Sequence, residues 1–318
     1  MNLNDKIYIA GHRGLVGSAI ERCLRKHGFH NLIMRTHGEL DLCDAAATDQ
    51  FIADEKPDCV ILSAARVGGI VANDTYPVEF FEENMRIGLN VITSSFKHGV
   101  KKLCYMGTGC IYPRDCPQPI REEYLLTGPL EKTNEMYALA KISLLRLCAA
   151  YNREYGTSYF GVMPCNLYGL NDSFRTPGAH VLPMLVRRFH EARMSGAKTV
   201  SVWGTGKARR EFMCSDDLAE ALLLLLNKED EVVPADGLNY FNIGTGSDLS
   251  IAELAALIKK AVGFEGEIIY DPSKPDGTPQ KLFDVSRIHA AGWRHRIELE
   301  EGIGLVYRDF LSNPELRK

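Results

Sequence analysis

Paired cysteines, long apolar runs and a marked charge imbalance are all missing from this sequence of 318 residues. The nine cysteines form an odd set without a C-x-x-C pair, which argues against a disulfide framework and against a metal site of the zinc type. The leucine run at 222–226 is far too short to cross a bilayer. A net charge of -4 gives no reason to expect a nucleic-acid partner.

These absences favour a cytoplasmic protein with reduced thiols and no membrane partner. No basic segment followed by an apolar core precedes the first strand-like run, so we expect no signal peptide. The length allows one large domain and a smaller one. Functional chemistry must therefore be sought in short motifs along an ordinary globular chain.

A glycine-rich turn follows the first apolar segment. Residues 6–10 predict a short strand and residues 18–27 a helix. The turn between them is Gly11-His12-Arg13-Gly14-Leu15-Val16-Gly17. Glycines at this spacing let the backbone approach a pyrophosphate, which the free N–H groups at a helix N-terminus attract. This stretch predicts a dinucleotide site.

Basic residues stand where an NAD site usually carries an acid. Arg35 and His37 follow the second predicted strand, at 31–34. An acid at this place suits a ribose 2′-hydroxyl, whereas a basic residue suits a 2′-phosphate. Together with Arg13 in the glycine turn, these residues favour NADP(H) as the cofactor.

Strand-like and helix-like segments alternate through the first half of the chain. Apolar runs at 58–65 and 100–106 flank a helical pattern at 78–98. This alternation predicts an α/β fold with a doubly wound parallel sheet of the Rossmann type, whose ligands lie outside the carboxyl ends of the strands. We expect an NADP-binding Rossmann domain at 1–169 and a smaller C-terminal substrate domain at 170–318, with parts of 216–245 returning to the first domain.

Four reactive side chains follow the strand at 100–106. Thr108 and Cys110 come just after it, and Tyr137 and Lys141 share one face of a later helix. An ammonium group beside a phenol favours the phenolate, so Lys141 is expected to lower the pKa of Tyr137. Such a pair can protonate a carbonyl oxygen while a hydride reaches its carbon. A half-buried Tyr beside a solvated Lys is the plain alternative.

The combination of Gly11-x-x-Gly14-x-x-Gly17, Thr108 and Tyr137-x-x-x-Lys141 resembles the extended short-chain dehydrogenase/reductase family. More specific strings extend the resemblance over nearly the whole chain, among them Cys110-Ile111-Tyr112-Pro113, Asn166-Leu167-Tyr168-Gly169 and Lys274-Pro275-Asp276-Gly277-Thr278-Pro279. Within the family they are similar to enzymes that epimerise C3 and C5 of GDP-4-keto-6-deoxy-D-mannose and reduce C4. The resemblance implies a nucleotide-sugar substrate and a homodimer.

The resemblance also implies roles for individual residues. Cys110 and His180 would exchange protons at C3 and C5, while Tyr137, Thr108 and Lys141 would serve reduction at C4. Lys141 would also hold the nicotinamide ribose. Other cofactor contacts, besides the glycine turn, would come from Asp41, Pro164, Asn166, Leu167 and His180. Substrate contacts would come from Arg188, Trp203, Arg210, Asp276 and Lys281, with the basic residues near the diphosphate.

Three residues depart from the usual family pattern. Gly109, Cys165 and Gln280 stand where a Ser, a Thr and an Arg are common, and the polar loop at 171–179 also differs. A relative that epimerises only C5, or that only reduces C4 of a related GDP-4-keto sugar, therefore stays open. An NADP-sensing binding module is the non-enzymatic alternative, although the presence of all four reactive residues, Cys110, Tyr137, Lys141 and His180, argues against it.

Overall fold

Six parallel strands form the central sheet. A computed structural model describes residues 1–175, 179–228, 239–274 and 276–317, so residues 176–178 of the polar loop and Pro275 lie outside the described residues. The sheet contains β1 (Ile7–Ala10), β2 (Leu32–Ile33), β3 (Cys59–Leu62), β4 (Lys102–Met106), β5 (Ser158–Pro164) and β10 (Tyr240–Ile243). Their order is β10-β5-β4-β3-β1-β2, which confirms the predicted doubly wound sheet.

Helices cover both faces of this sheet. They are α1 (Leu15–Lys26), α2 (Ala45–Glu55), α3 (Ile70–Thr75), α4 (Pro77–Lys97), α5 (Glu135–Tyr155), α7 (Ser215–Leu226) and α9 (Ser286–Ala290). Helix α1 packs against α7, whereas α4 packs against both α2 and α5. The chain moves outward from β1 to β2 and then back through β3 and β4, so right-handed crossovers place α1 and α2 on opposite faces. None of the described helices is both long and apolar enough to cross a membrane.

Smaller sheets and three helices form a second unit beyond the end of β5. The unit contains β6 (Asn166–Tyr168), β7 (Thr199–Trp203), β8 (Arg209–Arg210), β9 (Phe212–Cys214), β11 (Leu249–Ser250), β12 (Glu267–Asp271) and β13 (Gln280–Lys281), with α6 (Val181–Ser195), α8 (Ile251–Val262) and α10 (Leu299–Ser312). Strand β7 pairs with β12, β6 pairs with β9, and β8 lies between β11 and β13. A complete capping box between Ser250 and Glu253 fixes the start of α8.

Two apolar cores underlie the two units. The larger core surrounds the main sheet, where every residue of β1, β3 and β10 is buried, because helices cover both faces of these strands. The smaller core lies among α6, α8 and α10 and contains Phe189, Phe264 and Phe310. Helix α7 and residues 283–293 contribute to the larger core. We therefore propose a domain boundary near residue 170, with 215–228, 239–243 and 283–293 returning to the Rossmann domain.

The glycine turn after β1 leaves no room for side chains at two positions. Gly11 has a φ of +85°, and a Cβ there would lie 2.7 Å from the Ala64 nitrogen. A Cβ on Gly17 would overlap the Gly11 carbonyl oxygen. The first turn of α1 therefore rests directly on the turn that precedes it.

Gly17→Ala is expected to lower the free energy of unfolding by about 1–3 kcal/mol, because the new methyl group meets backbone that cannot rotate away. This loss of stability is opposite in sign to the effect of intrinsic helix propensity, which favours Ala over Gly. Denaturant unfolding under reducing conditions measures the change. Gly38→Ala is the matched control, since a Cβ there meets no atom within 4 Å. Equal stability of both variants and the wild type would contradict the close approach.

Candidate active site

A cavity of about 1320 Å³ lies where the carboxyl ends of the main strands face the second unit. Most of the residues predicted to form the site line it together. They are Gly11, Arg13, Gly14, Leu15, Val16, Gly17, Arg35, His37, Asp41, Thr108, Cys110, Tyr137, Lys141, Pro164, Asn166, Leu167, His180, Arg210, Asp276 and Lys281. His12, Arg188 and Trp203 are not part of this lining.

The N-terminus of α1 opens into the cavity. Gly14 is the N-cap, no side chain caps the helix, and no acidic residue stands in its first turn. Its free N–H groups and its dipole therefore favour an anion. The neighbouring His12 has a buried Nδ1 without a partner among the described residues. The uncapped N-terminus and the absence of an acid from its first turn fit the pyrophosphate of a dinucleotide.

Positive charge gathers at the end of β2. The Arg35 guanidinium donates to Glu55 Oε1 at 2.7 Å and to the Met34 carbonyl at 2.9 Å, so it is held in place. His37 is largely exposed, with Nδ1 3.8 Å from an Asp41 carboxylate oxygen. Arg13 lines the same cavity from the glycine turn. This arrangement suits a ribose 2′-phosphate better than a 2′-hydroxyl.

Lys141 is buried and fastens α5 to the end of β4. Its Nζ donates to the Met106 carbonyl at 2.9 Å and lies 5.8 Å from the centre of the Tyr137 ring. Burial lowers the pKa of Lys141 to about 7 and raises the pKa of Tyr137 above its usual value. The prediction that the pKa of Tyr137 is lowered is therefore wrong for this structure, because burial has the largest effect on the phenol and raises its pKa.

A thiol, a hydroxyl and a phenol share one wall of the cavity. The 3₁₀ turn Gly109–Ile111 follows β4, and Thr108 Oγ1 accepts a hydrogen bond from the Cys110 N–H at 3.3 Å. After burial, the charge of Cys110 is the next cause that raises the pKa of Tyr137, while a hydrogen bond with Thr108 lowers it. These side chains are therefore close enough to act on neighbouring atoms of one substrate.

His180 reaches the cavity from the second unit. It is the N-cap of α6, and its side chain makes no capping hydrogen bond. The ring is accessible from the cavity, yet the surrounding protein atoms lower its pKa through burial. A neutral imidazole near pH 7 can accept a proton and return it.

The predicted substrate residues fall into two groups. Arg210 donates to the Asp276 carbonyl at 3.4 Å, and the Asp276 carboxylate accepts from the N–H and the hydroxyl of Thr205 at 2.7 Å each. Both residues line the cavity with Lys281. The Arg188 guanidinium instead lies 5.3 Å from the Trp203 ring centre, so these two form a separate stacked pair.

The family model described as the NAD dependent epimerase/dehydratase family matches residues 7–244. The chain belongs to this family. GDP-L-fucose synthase 1 of Arabidopsis thaliana is 51% identical over 308 residues, which cover 97% of this chain and 94% of that protein. A GDP-6-OMe-4-keto-L-xylo-heptose reductase structure from Campylobacter jejuni has a TM-score of 0.93 at 38% identity, covering 98% and 99% of the two chains. An NADP-bound GDP-L-fucose synthetase structure from Naegleria fowleri reaches 0.88 at 29% identity, covering 100% and 97%.

A close contact explains one of the three departures in this family member. A Cβ on Gly109 would lie 2.8 Å from Cζ of Phe283, so the phenylalanine ring occupies the space that a serine side chain would need. Gln280 donates to Asp248 Oδ2 at 2.6 Å, a contact that an arginine could also make. Cys165 lines the cavity, and burial raises the pKa of its thiol. Nothing in the structure explains the thiol at this position.

Sequence reasoning missed two buried carboxyl groups of this family member. Asp172 lines the cavity, and its Oδ2 has no partner among the described residues. Glu211 accepts from the Phe283 N–H at 2.9 Å and from the Gly246 N–H at 2.7 Å. Burial raises the pKa of each carboxyl group to about 7. The position next to Arg210 could have marked Glu211 as a candidate site residue. Sequence spacing alone, however, does not distinguish a buried acid from a solvated one.

Replacing Lys141 with Met tests the depressed pKa of the buried lysine. Its folded value near 7 lies below the unfolded value, so between about pH 7 and 10 the unfolded chain binds more protons than the folded chain. The unfolding free energy of the wild type, relative to Lys141→Met, should therefore rise with pH, by at most about 1.4 kcal/mol per pH unit. Denaturant unfolding without cofactor at several pH values measures this difference. Parallel pH dependences of the two proteins would contradict the shift.

Proposed function

We propose that this chain is an NADPH-dependent enzyme that epimerises C3 and C5 of GDP-4-keto-6-deoxy-D-mannose and then reduces C4, yielding GDP-L-fucose. The observation that carries the proposal is the cavity wall shared by Cys110, Thr108 and Tyr137. A thiol for proton exchange and a phenol for carbonyl reduction lie together there, so one substrate site serves both reactions. The 51% identity to the Arabidopsis thaliana GDP-L-fucose synthase supports this substrate.

Epimerisation needs a base on one face of the sugar and an acid on the other. The C4 ketone acidifies the hydrogens on C3 and C5, so each proton can be removed and replaced with inversion. Cys110 follows β4 of the main sheet, whereas His180 begins α6 of the second unit. Side chains from two units can approach a sugar bound between them from different sides. Cys110 and His180 therefore form the exchange pair.

Reduction at C4 uses the phenol on the same wall. NADPH, when bound, supplies the hydride. Tyr137 donates a proton to the C4 oxygen, and the Thr108 hydroxyl hydrogen-bonds to that oxygen. Lys141, 5.8 Å from the Tyr137 ring centre, stabilises the negative charge that develops on the phenol when its ammonium form is present.

Charged groups hold the two anionic ligands at opposite parts of the cavity. The glycine turn and the N-terminus of α1 bind the cofactor pyrophosphate, while Arg13, Arg35 and His37 bind the 2′-phosphate. Arg210 and Lys281 bring positive charge for the diphosphate of the GDP-sugar. The bound NADP in the Naegleria fowleri relative supports this cofactor.

Three other functions can be distinguished from this one by experiment. A reductase without epimerase activity is suggested by the similarity to the Campylobacter jejuni heptose reductase, but the identity there is 38%. A C5-only epimerase would use the same thiol and phenol. A nucleotide-sensing module would not need Cys110, Tyr137, Lys141 and His180 in one cavity. The 51% identity to a GDP-L-fucose synthase favours the double epimerisation over all three.

Product formed from the keto sugar and NADPH in deuterated water should carry deuterium at both C3 and C5, because each centre exchanges its proton during inversion. Mass spectrometry and NMR locate the label. Cys110→Ser should lower the rate of deuterium incorporation by about 10²–10⁴-fold, which is the usual contribution of a proton-transfer group. It should leave cofactor binding unchanged. Label at C5 alone would identify the C5-only enzyme, and label at neither centre would reject epimerisation.

Tyr137→Phe is the complementary variant. It should slow NADPH oxidation by a similar factor, because the phenol proton is lost, while the recovered keto sugar still gains deuterium. Separate loss of the two activities in the two variants supports distinct roles on one wall. Loss of exchange in Tyr137→Phe with intact folding would contradict this division.

Arg13→Ala is expected to raise KM for NADPH by about 10–100-fold and to change KM for NADH little, because a charge-assisted contact with the 2′-phosphate is lost. Steady-state kinetics with both cofactors measure the ratio. Lys26→Ala is a control for removing a cation from the far end of α1, where the exposed Lys26 pairs with the half-buried Glu220 at 2.8 Å. An equal rise in KM for both cofactors would remove Arg13 from 2′-phosphate recognition.

We also propose a cytoplasmic homodimer. All nine cysteines are free, which supports a reducing compartment. Val78 and Leu89 of α4 are exposed, and they provide apolar surface that a second copy would cover. Analytical ultracentrifugation distinguishes the dimer from a monomer.

A further inference from the structure

Asn134 stands at the N-cap of α5 but does not cap its own helix. An asparagine at this position usually accepts a hydrogen bond from a backbone N–H in the first turn. Here the side chain makes no such bond, and its Nδ2 lies 3.3 Å from the Cys110 sulfur instead. Its Oδ1 is buried without a partner among the described residues. Helix stability therefore does not explain this side-chain direction.

The position of Asn134 suits an action on the thiol. Asn134 and Cys110 both line the cavity. Asn134 stands three residues before Tyr137, and Cys110 stands two residues after Thr108. A hydrogen bond donated to sulfur favours the thiolate over the thiol, and the thiolate is the form that removes a proton. An amide also restricts the sulfur to one direction.

Other charged and titratable groups face the same sulfur. Tyr137 from α5 and Arg210 from β8 both interact electrostatically with Cys110. The Thr108 hydroxyl oxygen accepts from the Cys110 N–H and leaves the sulfur free. Of these neighbours, Asn134 is the neutral donor with a hydrogen bond to the sulfur itself. Its effect can therefore be changed without removing a charge from the site.

We propose that Asn134 is a positioning residue for epimerisation, which holds the Cys110 sulfur toward the sugar and stabilises its thiolate. This role rests on the proposed use of Cys110 as the exchanging thiol. Asn134 acts through the sulfur, whereas Tyr137 and Thr108 act on the C4 oxygen. Its replacement should therefore affect proton exchange more than hydride transfer.

Asn134→Ser separates this role from helix capping. Ser is about as good an N-cap as Asn and adds no charge beside the sulfur, so a capping role predicts unchanged stability and no change at the thiol. A positioning role predicts that loss of the Nδ2 donor removes a hydrogen bond that favours the thiolate. The pH midpoint of Cys110 alkylation by iodoacetamide should then rise by about one pH unit, a tenfold loss of thiolate at neutral pH. Peptide mass spectrometry resolves Cys110 from the other thiols, with Cys43 as the internal control.

Solvent deuterium incorporation at C3 and C5 provides the second readout. In Asn134→Ser it should fall about tenfold at pH 7 and recover at higher pH, with KM for NADPH unchanged. An unchanged alkylation midpoint in a folded Asn134→Ser variant overturns the proposal. Failure of the proposed function looks different, because wild-type enzyme would then show no label at C3 or C5 although the alkylation midpoint still shifts in the variant.

Discussion

The buried hydrogen bond from Lys141 to the Met106 carbonyl joins the two segments that carry the reactive side chains. Tyr137 and Asn134 belong to the start of α5, whereas Thr108 and Cys110 follow β4. A 2.9 Å contact between α5 and the last residue of β4 fixes one segment against the other. Burial of Lys141 is unfavourable for its ammonium form and lowers its pKa to about 7. The Met106 carbonyl and the Tyr105 ring, whose centre is 5.0 Å from Nζ, stabilise that charged form.

Glu211 provides the corresponding link to the second unit. Its carboxylate accepts from the Phe283 and Gly246 N–H groups, and its carbonyl accepts from the Asn166 N–H at 3.2 Å and side-chain amide at 2.9 Å. Phe283 in turn fills the space beside Gly109. Three segments around the cavity are thereby held through one buried residue adjacent to Arg210, two by its side chain and one by its main-chain carbonyl. Two interior polar groups, Lys141 and Glu211, thus help to fix the positions of the phenol, the thiol and the Arg210 guanidinium around the cavity.

Local patterns predicted much of the fold, and long-range burial explains what they missed. The glycine turn and the helix expected at 78–98, observed as Pro77–Lys97, depend on neighbouring residues and were predictable. Strand β10 pairs with β5, although the two strands are far apart in the chain. Local patterns do not reveal such a pairing, so the sequence allowed no firm assignment of β10 to the first domain. The same limit applies to chemistry: spacing placed Tyr137 and Lys141 on one face, but their pKa directions depend on burial. The sequence could not predict that the Asn134 side chain contacts Cys110 instead of capping α5, because Asn is a common N-cap residue.

The central claim is that one sugar ketone is approached by the phenol, the thiol and the imidazole in a single bound orientation. A crystal structure of the Tyr137→Phe variant with NADPH and GDP-4-keto-6-deoxy-D-mannose tests it most directly, because the variant keeps the site and slows reduction. The account predicts the C4 oxygen within hydrogen-bond reach of Thr108, with Cys110 and His180 on opposite sides of the sugar ring. A sugar bound with Cys110 or His180 facing away from both C3 and C5 would contradict the account.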